Sequence, residues 1–176
     1  MHYYGSNDEA KDNARKKRRL DTKSEIHDQT SSVFDPYAAI QDISDDKAVY
    51  ALNTNDRLAA IAKYPQWKQH THLVLLSEGL IMNGGTPALF YNDGCIAPSV
   101  AAAYKAIGAM KHAEWIQNLM ILFGDPYPMD FNLINELIVD TPEKPWDDSS
   151  HFFFNNDNSL EIDRLLEQVF HTAQTE

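Results

Sequence analysis

Apolar residues recur at helical spacing through most of this chain, and glycines or prolines separate the repeats. Between Trp67 and Met82 the segment is apolar enough for a central helix, and Asn83-Gly84-Gly85 ends it. Its apolar residues include Leu73, Val74, Leu76, Leu80 and Ile81. Comparable spacing recurs in later segments, the last of which begins near Asn158-Ser159. We find no clear alternation of apolar and polar residues of the kind that strands show. The spacing therefore predicts an all-α fold, a single-domain compact helical bundle with about six to eight helices.

The same patterns predict where the ordered domain begins and which parts of it are extended. Residues 1–32 are polar and hold almost no periodic apolar positions, so we expect a disordered basic/polar tail there and an acidic helical domain over residues 33–176. The prolines of Thr141-Pro142-Glu143-Lys144-Pro145 predict an extended linker. The predicted core consists of Leu73, Leu76, Leu80, Phe90, Ile107, Trp115, Leu119, Phe123, Leu165 and Val169.

Charge is distributed unevenly along the chain. The whole chain has 15 Lys and Arg against 26 Asp and Glu, a net charge of -11, whereas the stretch from Asp125 to Glu176 has only Lys144 and Arg164 as basic residues. Residues 1–19 are basic and include the run Arg15 to Arg19. An acidic surface repels nucleic acids and anionic membranes and attracts basic proteins. We therefore predict a basic protein as the partner, and no direct nucleic-acid binding or membrane binding by the acidic domain.

The candidate partner-binding residues are the carboxylates of this last third. Several are four positions apart in predicted helices or at their starts, as in Glu136 with Asp140 and Asp163 with Glu167. Like charges at that spacing cost a few tenths of a kcal/mol, so folding alone does not favour them. The candidates are Asp125, Asp130, Glu136, Asp140, Glu143, Asp147, Asp148, Asp157, Glu161, Asp163 and Glu167.

Signs of catalysis are weak. The chain has no nucleophile elbow, P-loop or two-histidine helix motif, and His70 and His72 are too close in sequence to share one helix face. Cys95 is the only cysteine, so an intrachain disulfide and a thiolate metal cluster are excluded. We expect no enzyme activity, cofactor or metal, and a cytoplasmic location, because no signal peptide or membrane-spanning run is evident.

Three blocks of sequence resemble those of a known family. The first is Asn83-Gly84-Gly85 followed by the run Leu89 to Gly94, the second is Ala103 to Ala109, and the third is His151 to Phe154 with the helix after it. Together they resemble a family of small acidic helical bacterial proteins, formerly of unknown function, that includes a DNA mimic. The chain departs from that family at Thr86-Pro87, where an aromatic residue and a glutamine are expected.

The resemblance implies an all-helical domain, often dimeric, whose acidic surface imitates the phosphates of duplex DNA and occupies a DNA-binding protein such as a transcription factor. An immunity or antitoxin-type protein that neutralises a basic toxin is a second hypothesis, because it needs only the same complementary charge. A third is a host-directed factor that uses the basic run Lys16 to Arg19 to enter a nucleus.

Overall fold

The computed structural model describes residues 34–50 and 54–175, without the side chains of Asn55, Asn156, Asp157 and Ser159. Contacts within the chain separate residues 1–34 from a second unit, Asp35–Glu176, and the description below concerns the second unit. The predicted tail over residues 1–32 lies outside the described residues, so its boundary stays a prediction.

The described backbone is helical and contains no strand. Eight of its α-helices have eight residues or more, so the predicted all-α class with six to eight helices is confirmed. Short 3₁₀ turns cover Lys47–Tyr50, Gly94–Ile96 and Ile121–Phe123. The α-helices are α1 Pro36–Ala39, α2 Gln41–Ser44, α3 Thr54–Ile61, α4 Gln66–Gly84, α5 Thr86–Asp93, α6 Ala97–Ala106, α7 Met110–Met120, α8 Phe131–Asp140, α9 Glu143–Phe153 and α10 Asn156–Ala173.

Helix α4 is central to the bundle and packs against α5, α6 and α10. Its position explains its apolar composition, because it buries residues on several sides rather than along one stripe. No single helix in the described ranges has the length and apolarity to cross a membrane; only α4 combined with the span Thr86–Ala106, as a pair bent by 114°, meets those criteria of length and composition.

Six of the ten predicted core residues are buried: Leu73, Phe90, Ile107, Trp115, Leu119 and Phe123. The other four, Leu76, Leu80, Leu165 and Val169, are half-buried. On α10 the deepest positions are instead Ile162 and Leu166, four residues apart on the side that faces the bundle. The prediction therefore identified the helix correctly and placed the centre of its buried face about one residue off.

The predicted extended linker over residues 141–145 is wrong beyond its first two positions. Helix α9 begins at Glu143 directly after Pro142, so Pro145 lies in its first turn. The first amides of a helix have no intrahelical partner, and a proline there loses no hydrogen bond. Trp146, Ser149 and Phe153 then bury the inner side of α9.

The unusual Thr86-Pro87 pair forms a contact between α5 and α9. Gly85 has φ +73°, a conformation that glycine adopts easily, and α5 begins immediately after it. The buried Thr86 hydroxyl lies 3.2 Å from the Ser150 hydroxyl and accepts a hydrogen bond of 3.2 Å from Ser149. The Trp115 indole N–H donates to Ser149 Oγ at 2.8 Å. A chain of hydroxyls therefore links α5, α7 and α9.

A buried ion pair closes the other end of α5. Arg57 of α3 binds Asp93 through Nη1 and Oδ2, and both side chains are largely shielded from water. Asp93 and the adjacent Gly94 belong to the block that resembles the family. Because Arg57 lies 36 residues earlier, sequence spacing did not suggest this pair.

Candidate partner-binding surface

Helix α8 is fixed on the bundle by one buried residue, Ile134, and begins directly after the capping residue Asp130. Asp130 accepts a hydrogen bond from the Leu133 amide at 2.9 Å and so satisfies one of the unpaired donors at the start of the helix. Ile134 is its only fully buried residue and fits against Gly94, where a Cβ would lie 2.8 Å from Ile134 Cγ2. The opposite side carries Glu136 and Asp140, both exposed and one turn apart.

Helix α9 adds an acidic pair that the sequence reading missed. Glu143 and Asp147 were predicted as candidates, but the expected linker left them unpaired. Within α9 they are four residues apart and both are exposed, so they lie on one face of the helix. Asp148 is also exposed and lies further around the same helix. The missing information was that proline is tolerated in a first helical turn.

Helix α10 separates its predicted carboxylates into two environments. Asp163 and Glu167 are exposed on the side away from Ile162, and Glu167 lies 3.8 Å from His171 Nε2. Glu161 is half-buried and close enough to His112 of α7 to raise the pKa of that histidine, although burial lowers it more. Helix α10 also includes Asp157, whose side chain lies outside the described atoms.

The structure exposes most of the predicted candidate residues. Nine of the eleven are exposed, namely Asp125, Asp130, Glu136, Asp140, Glu143, Asp147, Asp148, Asp163 and Glu167. Asp125 lies in the loop before α8, and the other eight lie on or next to three consecutive helices. Helices α8 and α9 both pack on α5, and α9 also contacts α10. The carboxylates thus occupy the outer sides of adjoining elements.

Few cations are available to neutralise this surface. Lys144 and Arg164 are exposed, and neither forms an ion pair within 4 Å in the described part of the chain. The sequence from 112 to 143, which includes α8, contains no lysine or arginine either. The outer sides of α8 and α9 therefore keep their negative charge and present it to solvent.

Cys95 and His72 are buried, whereas most of the predicted carboxylates are exposed. Cys95 is buried, its Sγ donates to the Met129 carbonyl at 3.5 Å, and burial raises the pKa of its thiol. His72 is buried on α4, where burial and the nearby Arg57 guanidinium lower its pKa to about 4. Among the described residues no group of three or more His, Cys, Asp or Glu side chains has an arrangement that could hold a metal ion.

Comparison with known proteins identifies the family. The sequence model of the DMP19-like protein family matches residues 62–172, which include α4 to α9 and nearly all of α10. Comparisons of the sequence with curated proteins and with solved structures gave no match. The matched region covers more than half of the chain and contains every predicted partner-binding carboxylate. The chain therefore belongs to the DMP19-like protein family, a family of DNA mimics.

Proposed function

We propose that this protein is a DNA-mimic inhibitor that occupies the DNA-contacting surface of a basic DNA-binding protein such as a transcription factor. The observation that carries the proposal is the exposure of like-charged pairs on consecutive helices of a chain that belongs to a DNA-mimic family. Glu136 with Asp140 and Glu143 with Asp147 are the two pairs whose exposure and spacing support it most directly.

Charge spacing supports imitation of phosphates. Carboxylates one helical turn apart lie about 5–6 Å from each other at Cβ, and duplex DNA places one phosphate every ~3.4 Å per strand along its axis. The two densities are of the same order, so a groove lined with lysine and arginine finds a comparable field on either molecule. The cost of each like-charged pair to folding is a few tenths of a kcal/mol, which a bundle with a buried core tolerates.

The partner in this proposal is a protein rather than a nucleic acid. The stretch from Asp125 to Glu176 carries twelve acidic residues against Lys144 and Arg164. Such a surface repels phosphates, whereas a basic protein gains attraction and a faster encounter. The partner can be isolated on the immobilised full chain at low salt and eluted as the salt concentration rises.

The test is competition together with charge reversal. The affinity of the isolated partner for this protein should fall steeply as salt rises, and duplex DNA should displace this protein from the partner. Replacing Glu136→Lys together with Asp140→Lys should weaken binding by about tenfold or more at low salt. Glu114→Lys is the matched control, because Glu114 is exposed on α7 outside the acidic surface and should change affinity by less than about twofold.

Two results would contradict the mimic proposal. One is a partner whose affinity is indifferent to the Glu136 and Asp140 reversals. The other is a partner that binds this protein and duplex DNA at the same time. The second result would instead favour the immunity hypothesis, because the surface that such a protein blocks on a toxin need not bind DNA.

A further inference from the structure

Helix α8 leaves several large apolar side chains exposed. Only Ile134 is fully buried, whereas Phe131, Leu133 and Val139 are 45%, 44% and 81% exposed. Single exposed apolar residues are normal on soluble proteins, but a concentration of them on one ten-residue helix is typical of a contact surface. Packing against the bundle accounts for the Ile134 side of α8 and leaves the outer side unexplained.

Apolar residues lie beside the carboxylates of α8 in a regular arrangement. The exposed Leu133 and the half-buried Leu137 are four residues apart and form one row. Glu136 and Asp140 form the next row on the same helix. Val139 lies three residues after Glu136, on the other side of the acidic row. The outer face of α8 therefore presents a carboxylate row with apolar side chains on both flanks.

The same combination continues at the start of α8. Met129 is exposed immediately before the capping residue Asp130. The 3₁₀ turn Ile121–Phe123 packs beside α8 and exposes Ile121 and Leu122. Every formally charged side chain between residues 112 and 143 is acidic. The surface thus couples negative charge with apolar contact area and lacks any cation of its own.

We propose that the outer face of α8 binds an amphipathic basic helix of the partner, with lysine or arginine along the centre of its contact face and apolar residues on both sides of that row. This inference rests on the proposed function and specifies which element of the DNA-binding protein the surface takes. Amphipathic helices contact their partners through apolar anchors at such helical spacing. A helix of ten residues is about 15 Å long, which matches about three turns of a partner helix.

Charge decides between this occupant and a second copy of the chain. A two-fold contact through α8 would place Asp130, Glu136 and Asp140 close to the same residues of the other copy. Like charges brought together at an interface disfavour that contact, and no lysine or arginine between residues 112 and 143 relieves it. A basic helix satisfies both the carboxylates and the apolar rows.

Two synthetic peptides of equal positive charge test the inference with the full chain. One peptide has leucine at helical spacing between its lysines, and the other has glutamine in place of each leucine. At low salt both should bind, since both carry the charge. At about 0.5 M salt, where the Debye length is only a few ångströms, only the leucine peptide should keep measurable affinity.

A variant of α8 then tests whether the affinity that remains at high salt comes from its exposed apolar side chains. Leu133→Ser with Val139→Ser should weaken the leucine peptide by about tenfold or more at high salt, because both side chains lose apolar contact area. Met110→Ser is the matched control, since Met110 is 56% exposed on α7, and it should change affinity by less than about twofold. Circular dichroism should show equal helix content, because all three replaced side chains are exposed.

The outcomes separate this inference from the proposed function. If the two peptides bind equally at all salt concentrations and the α8 variant has no effect, the amphipathic helix is overturned while the charge-based mimic stands. If the Glu136→Lys and Asp140→Lys variant leaves low-salt binding of both peptides unchanged, the proposed acidic surface itself fails. If light scattering shows a dimer that Leu133→Ser with Val139→Ser converts to a monomer, the occupant is a second copy and the inference is wrong.

Discussion

Helices α4 to α7, called the inner helices below, differ in charge and burial from helices α8 to α10, called the outer helices. The stretch from Pro65 to Gly124 has three acidic and three basic residues, and α4 alone buries seven residues. The later stretch is strongly acidic, and α8 buries only Ile134. The inner helices obtain stability from packing on several sides. The outer helices need only a narrow buried stripe, and this leaves their free sides available for like charges that folding does not favour.

Truncating a core residue of the inner helices should give the largest loss of stability. Leu119 is buried on α7, and Leu119→Ala should lower the free energy of unfolding by about 2–5 kcal/mol, because the cavity adds to the lost burial. Leu133→Ala on α8 removes a half-exposed side chain and should cost less than about 1 kcal/mol. Urea denaturation of both variants measures the contrast. Equal losses would show that the two groups of helices do not differ as described.

Acid should destabilise the inner helices through their buried histidines. His112 stacks on Tyr104 with ring centroids 5.2 Å apart, and burial lowers its pKa to about 4, with Lys111 lowering it further and Glu161 opposing. The His112 imidazole becomes protonated near pH 6.5 in the unfolded chain and only near pH 4 in the folded chain. The stability that the neutral His112 contributes is therefore complete above pH 6.5 and is lost as the pH falls to 4. The loss is up to about 3 kcal/mol per histidine, and His72 behaves in the same way.

The variant His112→Phe isolates this contribution. Between pH 7.5 and pH 4.5 wild type should lose about 2–3 kcal/mol more unfolding free energy than the variant. His151→Phe provides the control, because His151 is exposed on α9, and it should follow wild type. An identical acid dependence in wild type and His112→Phe would contradict the buried, neutral state of His112.

The junction between the two groups of helices can be loosened at Gly94. A Cβ at this position would lie 2.8 Å from Ile134 Cγ2, so Gly94→Ala should push α8 away from the bundle and cost about 1–3 kcal/mol. Gly79→Ala is the opposite case, since Gly79 lies within α4 and a Cβ there meets nothing within 4 Å. That variant should gain up to about 1 kcal/mol from helix propensity. Thermal melting of the two variants should therefore shift in opposite directions.

Removing residues 1–30 should have the smallest effect. Their sequence is polar and contains few apolar residues that could add to a core. The truncated chain should melt within a few degrees of the full chain, which corresponds to less than about 1 kcal/mol. A large fall in the melting temperature would show instead that the basic run Arg15 to Arg19 binds the acidic surface and stabilises it.

The helix pattern was predictable where local chemistry decides it. Gly84-Gly85 and Gly124 end helical segments, and Gly85 and Gly124 have the positive φ that glycine adopts easily. Helix α9 was not predictable in the same way, because Pro142 and Pro145 usually break helices and here occupy its start. The Glu143 and Asp147 pair was missed for that reason. The Arg57 and Asp93 ion pair joins distant parts of the chain, and nothing in the local sequence indicates such a contact.

All three tryptophans of the chain lie where the outer helices meet the bundle. Trp67 packs edge-on against Phe170 of α10 at 5.6 Å, Trp115 stacks on Phe153 of α9 at 5.7 Å, and Trp146 belongs to α9 itself. Intrinsic fluorescence therefore reports on the docking of α9 and α10 without any label. A partner that binds the outer sides as a rigid surface leaves the emission maximum unchanged. A partner that lifts α9 from the bundle exposes Trp115 and Trp146 to water and shifts the emission to longer wavelength.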